Sequence, residues 1–220
     1  MKNNFGYSKT EIRLFKKLNT PRKIQDFLVK NIRHNPAKDG VECRSPRQVL
    51  KLRRAHCMEG ALLAAAILEF HGERPLVMDL RATQNDLDHV VAVFKRHGCW
   101  GAVSKTNHMV LRYREPVYKS IRELVMSYFH EYFLDSGKKT LREYSRLFDL
   151  RHLNYLNWRT SEKDLEEISE FLDKIRHYKI LNKKQIRDLR KADKIEIRAG
   201  KLIEYKLGRA KIQQGQSKIS

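Results

Sequence analysis

Cysteine is scarce in this sequence, with only Cys43, Cys57 and Cys99 among its 220 residues. An odd number without regular spacing is not the pattern of a disulfide framework, so we expect free, reduced thiols. The first residues contain no apolar core of signal-peptide length. The longest uninterrupted apolar run, "ALLAAAIL", is much shorter than a membrane span. Together these absences predict a cytoplasmic protein without a membrane span.

Acidic residues are the second deficit. The chain has 46 Lys and Arg against 26 Asp and Glu, which gives a formal net charge of +20 at pH 7. A surface of this kind attracts polyanions, and the attraction weakens as salt rises. Half of the excess lies in residues 176–220, which hold 14 basic against 4 acidic residues. We therefore expect weak, salt-sensitive polyanion binding through this region.

Signals for a cofactor or a metal are also missing. There is no glycine-rich phosphate loop. The residues of metal-ligating type do not occur in a tight C-x-x-C or H-x-x-x-H spacing; they are His56, Cys57, His89, Cys99 and His108. We therefore predict neither a bound cofactor nor a zinc site.

What the sequence does contain is enough apolar residue, 41%, for a real core. Helices are predicted over "TPRKIQDFLVKNI" and "SPRQVLKL", each with a capping residue followed by proline at the first helical position. The stretch "HCMEGALLAAAILEFHG" is apolar on nearly every side, which is typical of a buried central helix, and Gly72 is expected to end it.

The hydrophobic period then changes to that of strands. "PLVMDL" (75–80) predicts one strand, and "DHVVAVFKRHGCWGAVS" predicts two strands around a turn at His97-Gly98. A buried helix followed by antiparallel strands predicts an α+β fold.

The second half of the chain is predicted to be largely helical. Helices are expected over 116–133, over "LREYSRLFDLRHLNYLNWR", and over 161–181 with a capping box at Ser161. The Arg and aromatic mixture of the second stretch can also mark single-strand nucleic-acid stacking, but a buried amphipathic face is the preferred interpretation. Within the basic region, "QIRDLRKAD" predicts a short helix, "KIEIRAGKLIEYKL" a hairpin, and "QQGQSKIS" disorder. We divide the chain into an α+β core, 1–150, and a basic appendage, 151–220.

Cys57 stands where the charged segment gives way to the apolar helix. The N-terminus of a helix favours an anion, and Arg53, Arg54 and His56 add positive potential. Such surroundings lower the pKa of a thiol. A buried cysteine that packs like alanine explains the residue equally well. On these grounds alone the two interpretations remain open.

A nucleophilic thiol also needs a base. Most of the histidines lie at polar or terminal positions and are expected at the surface. His89 differs because it opens the apolar strand "HVVAVF", which should pack on the helix that carries Cys57. A core histidine that is simply hydrogen-bonded is the competing interpretation.

The order of these pieces resembles the transglutaminase-like superfamily of cysteine enzymes, and in particular uncharacterised bacterial transglutaminase-like proteins. The matching stretches are "AHCMEGALLAAAIL", "DHVVAVFKRHG" and "CWGAVSKTNH"; the resemblance is specific over 53–107 and loose over 21–135. It implies a papain-like fold, with a nucleophile helix packed on an antiparallel sheet. It also implies acyl transfer through a thioester, with Cys57 as nucleophile and His89 as general base.

The third position departs from the family pattern. Ser104 stands where the family has aspartate, and "SKT" replaces the usual "DPT". Asn107 is the second candidate for orienting the imidazole, and Asp88 and Asp79 follow. A serine hydroxyl can accept a hydrogen bond but offers no charge to stabilise an imidazolium. The backbone N–H of Cys57 is expected to be one oxyanion donor.

Three functions therefore compete at this stage. The first is a cysteine hydrolase or acyltransferase acting on a peptide or protein, most simply by amide hydrolysis. The second is a catalytically impaired transglutaminase-like scaffold that binds a protein or peptide. The third is polyanion binding by the basic C-terminal region.

Overall fold

A computed structural model describes residues 5–35 and 43–205 of the chain. In chain order, the helices of these residues are α1 (Lys9–Lys17), α2 (Pro21–Asn31), α3 (Pro46–Leu52), α4 (Cys57–Phe70), α5 (Ile121–Phe129), a 3-10 helix (Leu150–Leu156), α6 (Glu166–Lys174), α7 (Lys183–Arg187) and α8 (Lys194–Gly200). The strands are β1 (Arg33–His34), β2 (Arg54–Ala55), β3 (Leu76–Arg81), β4 (His89–Arg96), β5 (Cys99–Val103), β6 (Arg114–Tyr118), β7 (Glu143–Ser145), β8 (Phe148–Asp149) and β9 (His177–Lys179).

Seven of the strands form one antiparallel sheet. Its order is β6-β5-β4-β3-β7-β9, with β8 paired to β3 beside β7. The short strands β1 and β2 pair in parallel and place His34 opposite Ala55, next to the start of α4. The predicted α+β class with an antiparallel sheet is confirmed.

The sheet separates two hydrophobic cores. Val90, Ala92 and Phe94 of β4 belong to the core that surrounds α4, while Val91 and Val93 belong to the core that contains α5. This alternation is what a strand covered on both faces requires. Helix α4 is buried from Met58 to Glu69, as its apolar circumference predicts.

The predicted helix starts and turns near the site are confirmed. Thr20 and Ser45 cap α2 and α3 by accepting backbone N–H groups, and a proline follows each of them. Gly72 has φ +89° after the last turn of α4. Residues His97 and Gly98, both with positive φ, connect β4 to β5 in a two-residue hairpin.

Three expectations for the second half are wrong. The stretch 141–159 forms two short strands and a 3-10 helix, because its backbone pairs with β3 instead of with itself. Residues 116–118 belong to strand β6, so α5 starts only after Ser120. Helix α6 begins at Glu166 and not at Ser161. The Ser161 hydroxyl instead accepts a hydrogen bond from the backbone N–H of Lys163.

The predicted hairpin over 194–207 is also wrong. Residues Lys194–Gly200 form α8, whose start is fixed by a capping box between Asp193 and Glu196. The short helix predicted over "QIRDLRKAD", residues 185–193, is present only in part, because α7 (Lys183–Arg187) ends after the third residue of that stretch. The segment "QQGQSKIS" and residues 206–208 lie outside the described residues.

Residues on both sides of position 150 share one core. Ile168 and Leu172 of α6 pack into the same core as α4, and β9 extends the sheet beyond β7. No helix within the described residues has the length and apolar character needed to cross a membrane.

Candidate active site

Cys57 is the first residue of α4 and is partly exposed. His56 before it is the N-cap, and its backbone N–H donates to the carboxylate of Glu59 at 2.9 Å. Because Glu59 is the third residue of the helix, this bond fixes the backbone on either side of Cys57. The unpaired N–H groups of the first turn favour a negative charge, so the position suits a thiolate.

His89 is the first residue of β4 and is only 6% exposed. Its Nε2 lies 2.8 Å from the hydroxyl oxygen of Ser104, the residue that follows β5. Ser104 is itself 1% exposed, so this contact is shielded from water. One ring nitrogen of His89 is therefore occupied by Ser104.

The single proton of the Ser104 hydroxyl determines the tautomer of His89. The Ser104 Oγ donates to the carbonyl oxygen of Leu111 at 2.5 Å, and a carbonyl can only accept. Ser104 must then accept its second bond from His89 Nε2–H. In the neutral imidazole the lone pair consequently lies on Nδ1.

The Cys57 thiol interacts with two imidazoles, those of His56 and His89. Burial raises the pKa of the Cys57 thiol, but hydrogen bonds with the side chains of His56 and His89, together with their positive charges, lower this pKa well below its usual value. Since Nε2 of His89 is taken by Ser104, Nδ1 is the atom left to face the sulfur. A thiolate is the reactive form of cysteine, so these surroundings favour nucleophilic chemistry.

Two contacts hold Ser104 in place. The side-chain amide of Gln25 in α2 pairs with the backbone of Ser104, donating to its C=O and accepting from its N–H at 2.9 Å each. The next residue, Lys105, packs against Gly60 of α4, where an added Cβ would lie 2.3 Å from the Lys105 Cβ. The missing side chain at Gly60 thus allows the end of β5 to approach the first turn of α4, the helix that carries Cys57.

Leu111 has a left-handed backbone, φ +60°, which is uncommon for a residue with a side chain. Its N–H donates to the carboxylate of Glu131 at 2.8 Å, and Arg114 pairs with the same carboxylate at 2.7 Å. These bonds hold the conformation that points the Leu111 carbonyl at Ser104.

The other candidates for orienting His89 have different partners. The side-chain amide of Asn107 donates to the Tyr205 carbonyl at 3.1 Å and accepts from the Tyr205 N–H at 3.0 Å. Asp79 contacts His177 at 3.0 Å, and Asp88 accepts from the Ala82 N–H at 2.7 Å. The structure therefore brings Ser104 to His89, whereas Asn107 ties the C-terminal segment to the loop after β5.

Sequence reasoning missed three participants. It treated His56 only as a source of positive potential, although its position next to Cys57 and three residues before Glu59 was visible. It gave no role to Gln25, which lies in a helix remote in sequence from Ser104. The Leu111 carbonyl belongs to the backbone, so no side-chain pattern could signal it.

The arrangement does not resemble a metal centre. Over residues 5–35 and 43–205 no group of three or more His, Cys, Asp or Glu side chains could hold a metal ion.

The sequence matches no protein-family model and no curated protein.

Proposed function

We propose that this protein is a cysteine-dependent acyl-transfer enzyme of transglutaminase-like type, which hydrolyses an amide or peptide through a thioester on Cys57. The observation that carries the proposal is the hydrogen-bond chain from the Leu111 carbonyl through Ser104 to His89, an imidazole that helps to lower the pKa of the Cys57 thiol. The chain leaves Nδ1 as the basic nitrogen of His89, and a base that interacts with a thiol is the requirement for an activated nucleophile. The buried helix on an antiparallel sheet agrees with a papain-like core.

The reaction follows from these groups. His89 Nδ1 takes the thiol proton, and the sulfur attacks the carbonyl carbon, whose π electrons move to the oxygen. The imidazolium of His89 then gives its proton to the nitrogen as the C–N bond breaks, which leaves a thioester and a free amine. Water next attacks the thioester while His89 Nδ1 accepts a water proton, and the C–S bond breaks to release the acid.

Two features of the site affect the rate of acyl transfer in opposite directions. They are the position of Cys57 at the start of α4 and the uncharged side chain of Ser104 beside His89. The backbone N–H of Cys57, at the N-terminus of α4, is our first candidate for donating to the oxyanion. Ser104 cannot stabilise the imidazolium with a charge. Replacing a triad aspartate by a neutral amide lowers kcat by about 10⁴ in serine proteases, so we expect a slower reaction than in a triad with a carboxylate.

The test uses p-nitrophenyl acetate, an activated acyl donor whose leaving group is coloured. We expect a burst of nitrophenolate equal to the enzyme concentration, followed by slow turnover. Mass spectrometry of the quenched protein should find the acetyl group on Cys57. The Cys57→Ala variant should lose the burst, while Cys99→Ala, which removes the other partly exposed thiol, should retain it.

An equal burst from the folded Cys57→Ala protein would refute the proposal. Acetylation of Cys57 no faster than that of Cys99 would do the same and would favour the impaired scaffold that binds a peptide without cleaving it.

A further inference from the structure

Two imidazoles, those of His56 and His89, lower the pKa of the Cys57 thiol, and they differ in the side chain that each of them contacts. His89 is backed by the uncharged hydroxyl of Ser104 at 2.8 Å. His56 is backed by the carboxyl group of Glu59, with His56 Nε2 and Glu59 Oε2 3.7 Å apart. The negative charge that is missing behind His89 is therefore present behind His56.

Glu59 is fully buried, and burial raises the pKa of its carboxyl group, while the contacts with His56 and Arg44 oppose this by favouring the carboxylate. It accepts from the backbone N–H of His56 at 2.9 Å, from the backbone N–H of Arg44 at 3.2 Å, and from the Arg44 guanidinium at 3.5 Å. All three groups can only donate, so none of them requires a proton on Glu59. A buried carboxylate favours a positive charge on an imidazole this close.

We propose that His56, held as an imidazolium by the Glu59 carboxylate, is a catalytic residue that provides the fixed positive charge facing the Cys57 thiolate. His89 is then the residue that moves the proton, because its Nδ1 carries the lone pair. The division separates the two tasks that an aspartate-backed histidine performs alone in the family pattern. This inference rests on the proposed function, since it assigns a role at the same nucleophile.

The other ionisable groups around the sulfur do not compete with His56 for this role. Burial lowers the pKa of His34 to about 4, so that imidazole is neutral at pH 7. Burial raises the pKa of the Tyr132 hydroxyl and of the Cys43 thiol, and both remain protonated. Within residues 5–35 and 43–205, the imidazoles whose positive charge lowers the pKa of the Cys57 thiol are those of His56 and His89.

The experiment measures the iodoacetamide alkylation rate of Cys57 against pH in the full-length protein, with mass spectrometry reporting the modified peptide. In Glu59→Gln the amide oxygen can still accept the His56 backbone N–H, so the helix start is retained. We expect the apparent pKa of Cys57 to rise by about one pH unit or more in both Glu59→Gln and His56→Gln. The alkylation rate at pH 7 should fall by about tenfold or more.

Glu69→Gln is the matched control. Glu69 is a second buried carboxylate of α4, but it pairs with Arg159 at the other end of the helix. Its replacement should leave the Cys57 profile unchanged even where it reduces stability. Circular dichroism and thermal unfolding then identify any variant that has lost its fold.

A second measurement keeps the inference testable if Glu59→Gln does not fold. In wild-type protein labelled with ¹⁵N-histidine, the ring shifts at pH 7 should show His56 protonated on both nitrogens. A neutral His56 ring would overturn the inference. So would alkylation profiles of Glu59→Gln and His56→Gln that coincide with the wild type.

The outcomes separate this inference from the proposed function. If the wild-type Cys57 titrates as an ordinary thiol, both are wrong. If it titrates low and reacts with the acyl donor, but is indifferent to His56 and Glu59, the proposed function stands and the role of His56 is withdrawn.

Discussion

Two shielded histidines of this protein each contact one acceptor side chain, and the acceptors differ in kind. His89 contacts the hydroxyl of Ser104 at 2.8 Å, whereas His177 contacts the carboxylate of Asp79 at 3.0 Å. His177 also donates from Nδ1 to the Ile175 carbonyl at 2.8 Å. With a carboxylate and a carbonyl as acceptors, both nitrogens of His177 carry protons. His89 instead retains one lone pair.

This difference in acceptor explains why the His89–Ser104 pair can take part in catalysis, whereas the His177–Asp79 pair can only be structural. Burial lowers the pKa of His177, but its bonds to Asp79 and Ile175 outweigh this effect and raise its pKa above the usual value. An imidazole that already holds both protons cannot act as a base. The hydroxyl of Ser104 orients His89 without fixing a charge on it, and the lone pair remains available to the Cys57 thiol.

The largest expected effect tests this division directly. His89→Gln removes the proposed general base, and we expect the rate of acetyl transfer from p-nitrophenyl acetate to fall by about 10²- to 10⁴-fold at pH 7. His177→Gln is the matched variant, because it removes an equally shielded imidazole from the same sheet. Its acetyl-transfer rate should equal that of the wild type. Equal losses of rate in both variants would contradict the assignment of different roles to His89 and His177.

A substitution that disturbs packing at Gly60 should affect His89 and leave His177 unchanged. Gly60→Ala places a Cβ 2.3 Å from the Lys105 Cβ, so either α4 or the segment after Ser104 must shift. Overpacking of this kind costs about 1–3 kcal/mol, which exceeds the gain of up to about 1 kcal/mol from replacing glycine in a helix. We expect a lower free energy of unfolding in urea together with slower acetyl transfer.

Gly72→Ala is the control for that change. Gly72 has φ +89° with no atom within 4 Å of an added Cβ, so the substitution strains the backbone without overlap. It should reduce stability and leave the chemistry of Cys57 unchanged. If Gly60→Ala lowers stability but keeps the full rate, the approach of β5 to α4 does not position the site.

A smaller effect on the acetyl-transfer rate is expected from removal of the Ser104 hydroxyl. Ser104→Ala leaves Nε2 of His89 without its partner, so the two neutral tautomers should mix, and the acetyl-transfer rate should fall by about tenfold for one lost hydrogen bond. The ¹⁵N ring shifts of His89 measure the tautomers directly. Ser145→Ala is the counterpart in the other pair, since the Ser145 hydroxyl accepts from the Asp79 N–H; it should change neither the shifts of His89 nor the rate.

Much of the fold was predictable because local patterns and packing agree there. The Thr-Pro and Ser-Pro starts of α2 and α3, the apolar circumference of α4 and the turn at His97-Gly98 are all local signals. The prediction failed over 141–159, where helical periodicity was overridden by pairing with β3. It failed again at α8, where the capping box at Asp193 was overlooked.

The site was predictable only in its order along the chain. Cys57 at a helix start and His89 at a strand start are sequence features, but their contact is not. By strand alternation His89 shares the parity of Val91 and Val93, which face the core around α5 and not the core around α4. His89 interacts with Cys57 although its parity is wrong, because it is the first residue of its strand. Which strand end meets which helix start in the folded protein cannot be derived from the spacing of residues in the sequence.

The smallest effect concerns the stability contributed by His177. Because the folded-state pKa of His177 is raised, its pair with Asp79 stabilises the protein fully below the unfolded value of about 6.5, and the contribution is lost as pH rises through the folded value. The free energy of unfolding of the wild type should therefore decline between about pH 6 and pH 9 by roughly 1 kcal/mol more than that of His177→Gln. Urea titrations of both proteins across this range measure the difference. Parallel profiles would mean that the Asp79 pair carries no fixed charge, and the contrast with His89 would then rest on hydrogen-bond geometry alone.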